Sequence, residues 1–236
     1  MRRKPVVILT GGPTRAYLDR VRFLTNVSTG AVAFQLAKAL RARGFRVVAI
    51  TGPTALPFDR LPLERWIPVE TNDEMERAVL AACHRYRPFA AVFSAAVLDF
   101  APARVQSGKR ASLDGEWVLK LRPTRKIVDV VGQRHPSLVR VGFKLEWRRE
   151  SQREARLVKR YLDDKGLDAL LVNYLSELGP KRHPARLFRK DGTSVRCSGK
   201  PSVARAIADF LAEARKARLG PAGAGSRRSA TAPRNA

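Results

Sequence analysis

The run Val6-Val7-Ile8-Leu9 stops at Gly11-Gly12. After a polar stretch, a segment with Val32, Leu36, Ala39 and Leu40 on one helical face leads through Gly44 into a second apolar run at residues 45–50. Two short β-branched runs joined by one amphipathic helix make a βαβ unit, whose strands are parallel and whose crossover is right-handed. That unit commits the chain to a sheet with helices packed on its faces. The connection from the first strand to the helix, TGGPTRAYLDRVRFLTNVSTG at residues 10–30, reads as a polar loop. A helix start offers unpaired N–H donors and partial positive charge, so a phosphate is expected here. Gly11 and Gly12 can bring backbone N–H groups close to an anion, Asn26, Ser28 and Gly30 stand just ahead of the helix, and Arg15, Arg20 and Arg22 add charge. The loop carries neither G-x-G-x-x-G nor the P-loop lysine pattern, so on its own it is equally a tight turn with a helix cap.

Downstream, Thr51-Gly52-Pro53 turns the chain. A short strand is expected at residues 66–69, and a helix capped by Thr71 or Asn72 runs to about Arg85. Residues 90–97 read as a buried strand whose end, Ser94, Ala95 and Ala96, is small enough to leave room for a ligand. Ligands of open α/β sheets sit beyond the carboxyl ends of the strands, so this end and the Gly11 loop should face one crevice. Asp99 is then either a polar contact or the start of a turn before Pro102. Residues 104–115, with Lys109 and Arg110, read as a mobile flap, and residues 117–121 alternate like an antiparallel strand at the sheet edge. A helix at 127–134, a strand at 138–145, a very polar helix at 150–165, a strand at 167–173, a hairpin at 186–197 and a helix at 202–216 complete the order. The expected architecture is a three-layer, Rossmann-like α/β domain over residues 1–219. Its sheet is mainly parallel with a late antiparallel extension, and residues 220–236 form a disordered tail.

The formal charge of +25, from 46 Lys and Arg against 21 Asp and Glu, favours a polyanionic partner. The excess is dispersed along the chain, no recognition motif accompanies it, and aromatics are only 7%, so nucleic acid is not the expected partner. Cys83 and Cys197 cannot build a disulfide framework, no metal-ligating set stands out, and His84, His135 and His183 suggest no nucleophilic triad. No stretch approaches the roughly 18 apolar residues of a membrane span, and the opening residues do not make a signal peptide, so a cytoplasmic protein is expected. A dinucleotide-dependent reductase is disfavoured because Thr51-Gly52-Pro53 stands where an acidic residue would bind a ribose.

The fixed identities Thr10, Gly12, Pro13, Thr14, Arg15, Asp19, Val21, Arg22, Phe23, Asn26, Ser28 and Gly30 follow the pattern T-x-G-P-T-R-x-x-x-D-x-V-R-F-x-x-N-x-S-x-G. This resembles the opening of phosphopantothenate-cysteine ligase, the C-terminal domain family of the DNA/pantothenate metabolism flavoproteins. Ala95-Ala96-Val97-Leu98-Asp99-Phe100 is similar to the family's A-A-V-x-D-Y, Lys109 lies where the family has a lysine-bearing flap, and Thr124-Arg125-Lys126-Ile127 resembles T-P-K-I. Val141-Gly142-Phe143-Lys144 resembles V-G-F-K, and Lys165-Gly166-Leu167-Asp168 with Leu171-Val172-Asn173 matches the late K-x-x-D and A-N-D stretch. The likeness covers about residues 5 to 215, in the free-standing form, with no flavin-dependent decarboxylase domain ahead of it. Departures include Ala16, Arg20, Ala31 and Ala33, Tyr161 in place of a lysine, and Tyr174 in place of an aspartate.

The resemblance implies a ligase that activates the carboxylate of 4′-phosphopantothenate with a nucleoside triphosphate, CTP or else ATP, carried with Mg²⁺, and then joins cysteine through an amide. A non-catalytic nucleotide-binding relative is the alternative. It implies Asn26 and Lys109 as catalytic, with Asn26 touching the acyl intermediate through its amide. Gly11, Gly12, Thr14, Arg15, Arg22, Ser28, Gly30, Ser94, Ala95, Ala96, Asp99, Lys126, Phe143 and Lys165 are implied to bind substrate or nucleotide, Asp99 reading the base. It also implies a homodimer formed through the antiparallel extension.

Overall fold

Alternation along the first strand sets the layers. In β1 (Val6–Gly11), Val7 and Leu9 pack with one buried cluster and Val6 and Ile8 with another, the period of two that places neighbouring side chains on opposite faces. The computed structural model describes residues 4–113, 115–179 and 182–219. The expected tail at 220–236 lies outside the described residues.

After β1 come β2 (Arg15–Tyr17), β3 (Phe23–Thr25), α1 (Ala31–Ala42), β4 (Arg46–Thr51), β5 (Arg65–Pro68) and α2 (Asn72–Tyr86). Then follow β6 (Ala90–Phe93), β7 (Phe100–Pro102), β8 (Leu121–Pro123), α3 (Ile127–Arg134) and β9 (Val139–Glu146). The chain closes with α4 (Ser151–Lys159), a π-helical turn (Arg160–Asp164), β10 (Ala169–Tyr174), β11 (Ala185–Arg189), β12 (Ser194–Cys197) and α5 (Lys200–Leu219). Eight strands form one sheet in the order β12-β11-β10-β9-β6-β1-β4-β5, parallel from β10 to β5 and antiparallel at β10-β11-β12. Helices α1 and α5 cover one face, and α2 and α3 cover the other. Leu36 and Leu40 of α1 are fully buried, each adding about 1.5–3 kcal/mol. The expected three layers, parallel sheet and antiparallel extension are all present.

Three local readings differ. The stretch 10–30 is not all loop, because Arg15, Ala16 and Tyr17 pair with Thr25, Leu24 and Phe23 in an antiparallel ribbon of their own. The strand expected at 117–121 does not border the sheet: β8 starts at Leu121 and pairs with β7 in a second isolated ribbon. Pro102 and Pro123 sit in that ribbon, and a residue without an N–H cannot extend a ladder into a wider sheet. The helix expected through 150–165 is α-helical only to Lys159, after which the ladder widens into the π turn.

Helix α2 begins with a capping box. Thr71 Oγ1 accepts from Glu74 N at 3.2 Å, while Glu74 Oε2 accepts from the backbone N–H groups of Thr71 and Glu70 at 3.2 and 2.7 Å. Thr71→Ala should cost about 1 kcal/mol of unfolding free energy, read by urea denaturation.

Candidate functional site

The sheet reverses direction of growth between β1 and β6: β4 and β5 are added on one side of β1, and β6, β9 and β10 on the other. Such a switch point opens a crevice at the carboxyl ends of the strands. Thr10 pairs with Phe93, and Phe93 with Gly142, so Gly11 at the end of β1, Ser94 just past β6 and Phe143 within β9 lie at one level across the sheet, with Thr51 opposite Gly11. The predicted glycine loop, small-residue segment and Phe143 therefore share a rim.

The glycines on this rim leave no room for a Cβ. A Cβ on Gly11 would lie 2.4 Å from Ala33 Cβ of α1, and one on Gly12, where φ is +70°, would lie 2.9 Å from Gly52 O. A Cβ on Gly52 would lie 1.5 Å from Pro13 O. Gly30 caps α1 at φ 74° and packs beside Gly12. Gly30 has no side chain with which to cap α1, Thr29 Oγ1 accepts from Ala31 N at 3.4 Å, and the first turn carries no acidic residue, so no charge offsets the positive end of this helix there. Ser28 Oγ accepts from Gly30 N at 3.4 Å.

One side chain joins the two rim segments. Asn26 Nδ2 donates to Ala96 O and Val97 O, both at 3.1 Å. Both amide hydrogens are thus engaged, leaving Oδ1 as the atom of Asn26 able to serve a ligand. Below it, Thr14 is fully buried. Its hydroxyl donates to Asn72 Oδ1 at 2.5 Å and accepts from Leu98 N at 3.0 Å, and Asn72 Nδ2 donates to Leu98 O at 2.7 Å. Ser94 Oγ donates to Thr10 O at 2.6 Å, and Ala95 N donates to Thr10 Oγ1 at 3.3 Å. Thr14 and Ser94 shape the rim from within.

Arg15 pairs with Glu70 at 3.0 Å and lies over the Phe23 ring. Arg22 pairs with Asp19 at 3.3 Å, donates to Arg110 O at 3.0 Å and lies over the Trp117 ring, which the Arg110 guanidinium also faces. The flap is thereby fastened to the β2–β3 ribbon. Gln106 N donates to Leu18 O, Arg20 N to Gly108 O, and Arg110 N to Asp19 Oδ2. Lys109, on the same segment, is exposed.

Asp19 is 1% exposed. Burial pushes its carboxyl up, but the N–H groups of Val21, Arg22 and Arg110, with the Arg22 guanidinium, outweigh this and hold the pKa below its ordinary 3.8. A folded-state pKa below the unfolded one gives stabilisation above about pH 4 that is lost as pH falls through the folded value. The flap should loosen on that acid limb, seen as faster hydrogen exchange at Arg110 N. At pH 8, Asp19→Asn should hasten tryptic cleavage within residues 104–110.

The other charged candidates gather on α3. Lys126, just before the helix, pairs with Asp99, and Lys165 donates to both oxygens of Asp129 at 2.8 and 2.6 Å while lying over the Tyr161 ring. Lys126 and Asp129 are one turn apart, so opposite charges alternate from Asp99 to Lys165. Sequence reasoning assigned Asp129 no part, nor Asp19 its latching one. The signals were present: an acidic residue in a helix's first turn, and an aspartate placed to accept from the N–H groups two and three residues on.

An open cavity of about 340 Å³ lies at the carboxyl ends of β4 and β5, lined by residues that include Thr51, Gly52, Thr54, Trp66 and Glu70. None of the predicted site residues lines it. Among the described residues, no three His, Cys, Asp or Glu side chains could hold a metal, and no helix is long and apolar enough to cross a membrane.

Residues 2–214 match the family model described as the DNA/pantothenate metabolism flavoprotein C-terminal domain. The chain belongs to that family. The coenzyme A biosynthesis bifunctional protein CoaBC of Bacillus subtilis is 33% identical over 190 residues, 79% of this chain and 45% of that protein. The chain thus spans about half the length of the curated relatives it matches. The crystal structure of the DNA/pantothenate metabolism flavoprotein of Streptococcus pneumoniae superposes with a TM-score of 0.79 at 22% identity, covering 90% of this chain and all of that one. The C-terminal domain of a CoaBC protein gives 0.72 at 25% identity, covering 89% and 95%.

Proposed function

We propose that this domain is a phosphopantothenate-cysteine ligase acting in coenzyme A biosynthesis. The observation that carries the reading is the Asn26 amide seated on consecutive carbonyls, Ala96 O and Val97 O, at the switch point of a family member's sheet. That junction joins the loop leading to the Gly30-capped start of α1 with the segment leading to Asp99.

A carboxylate is a poor electrophile and must be given a leaving group. The carboxylate oxygen of 4′-phosphopantothenate attacks the α-phosphorus of a nucleoside triphosphate, expelling pyrophosphate and leaving an acyl-nucleotidyl anhydride. The amine of cysteine then attacks the acyl carbon, nucleoside monophosphate departs, and the amine proton passes to solvent. No side-chain nucleophile is needed; the protein contributes position and charge. The start of α1, with Gly12, Ser28 and Gly30, takes phosphate oxygens, Arg15 and Arg22 adding charge from the ribbon. Asn26 Oδ1 is placed to accept from an N–H of the acyl substrate or of cysteine, and Lys109 on the latched flap meets the reacting phosphate. Asp99, Lys126, Phe143 and Lys165 receive the nucleotide, with Asp99 and the Ser94–Ala96 backbone beside the base. Mg²⁺ enters on the triphosphate, a cation ordinarily held by few protein carboxylates together with substrate phosphates. CTP is the proposed nucleotide, and a homodimer joined through the β11–β12 extension the proposed assembly.

Incubation with 4′-phosphopantothenate, cysteine, Mg²⁺ and each nucleoside triphosphate should release pyrophosphate, fastest with CTP, and only when the pantothenate is present. Nucleotide binding without pyrophosphate release would make the domain a non-catalytic relative.

A further inference from the structure

Strand β9 begins with a charge inside the protein. Arg140 is 8% exposed, on a strand paired on both sides. Its Nη1 donates to Lys165 O at 3.2 Å and its Nη2 to Gly166 O at 2.7 Å, while its buried Nε has no hydrogen-bond partner among the described residues. Two glycines make the slot it fills: a Cβ on Gly132 of α3 would lie 1.9 Å from Nη1, and one on Gly166, at φ +64°, would lie 3.1 Å from Nη2. Glycine is a poor residue for a helix interior, and room for this guanidinium accounts for Gly132. The backbone is held as well, because Arg140 N donates to Asp168 Oδ2 at 2.8 Å and Asp168 N donates to Arg140 O at 3.0 Å.

The guanidinium therefore sits between α3 and the turn that ends the π-helical segment, bonded to two consecutive carbonyls of that turn. The elements it lies between carry the two members of one ion pair: Asp129 stands on α3 a turn before Gly132, and Lys165 stands on the turn. Stability alone does not explain a buried cation with one unpaired donor, since an apolar residue of similar volume is often as good or better. A fixed geometry does.

We infer that Arg140 is a positioning residue for nucleotide binding: by clamping the 165–166 turn against α3 it sets where the Lys165 ammonium stands. This rests on the reading of Lys165 as a nucleotide contact.

The test uses Arg140→Met, Arg140→Lys, Lys165→Met and the Arg140→Met/Lys165→Met double variant. CTP and ATP affinity is measured by titration calorimetry, and KM and kcat are measured for each substrate. Arg140→Met should melt no earlier than the parent protein yet bind CTP about tenfold more weakly, the loss usual when a contact residue's support is removed. kcat at saturating nucleotide and the KM for cysteine should be unchanged, and Arg140→Lys should recover part of the affinity. The double variant should bind no more weakly than Lys165→Met alone, because the two act through one contact. If Arg140→Met does not fold, Gly132→Ala, whose methyl takes the guanidinium's space, carries the same expectation. Undiminished CTP affinity in the folded variant, with Lys165→Met impaired, overturns the clamp and leaves the role of Lys165 standing. Undiminished affinity in Lys165→Met removes that role and the clamp with it.

Discussion

Asn26→Asp is expected to fold normally and to lose turnover by about 10²–10³-fold, the scale on which removal of one preorganised polar group acts in acyl transfer. The substitution keeps the shape of the side chain and removes both donors. Ala96 O and Val97 O, which now accept at 3.1 Å, would face a carboxylate oxygen. Repulsion should part the first loop from the segment leading to Asp99, and the two halves of the site would no longer hold their spacing. Unchanged circular dichroism, with pyrophosphate release reduced at every substrate concentration, is the expected pattern. Turnover within threefold of the parent would remove Asn26 from the mechanism.

Gly52→Ala should be the most damaging glycine-to-alanine change among the described residues. Its Cβ would lie 1.5 Å from Pro13 O and 2.7 Å from Pro13 C. Those are backbone atoms, which cannot rotate away as a side chain would. Overpacking usually costs about 1–3 kcal/mol and more where nothing can yield, so at least about 3 kcal/mol is expected in urea melts. The displaced segment is the loop that holds Gly12, whose carbonyl accepts from Ala96 N, so nucleotide affinity should fall as well in any fraction that folds. Gly142→Ala is the contrast: its Cβ would meet the ends of Leu167 and Leu170, flexible atoms that can move, and it should cost less.

The main sheet was legible because its signals are local and repeated. Val6 to Leu9, residues 45–50 and residues 167–173 are short apolar runs, and the glycines and prolines between them mark the turns. The ribbons were not legible for the opposite reason. Residues 15–17 and 23–25 are polar or mixed, and they pair because Asp19 turns the chain between them, a fact of geometry that no periodicity encodes. The place where β7 meets β8 depends on contacts between segments about twenty residues apart, and prolines on both strands hid them further. In the site, the loop motif identified residues that do converge, Asn26 with Ala96 and Val97 above all. It could not show that Asn26 would use its donors internally, or that Lys126 and Lys165 would each meet a carboxylate. Pairing of that kind depends on which segments face each other: Asp99 meets Lys126, and Asp129 of α3 meets Lys165.

Both ribbons that carry the flap and the entry loop stand outside the main sheet, and two strands alone are barely stable in water. Warming should therefore silence the chemistry several degrees before the central scaffold collapses, and the gap between those two temperatures would measure how much of the active geometry is borrowed from the latch rather than from the core.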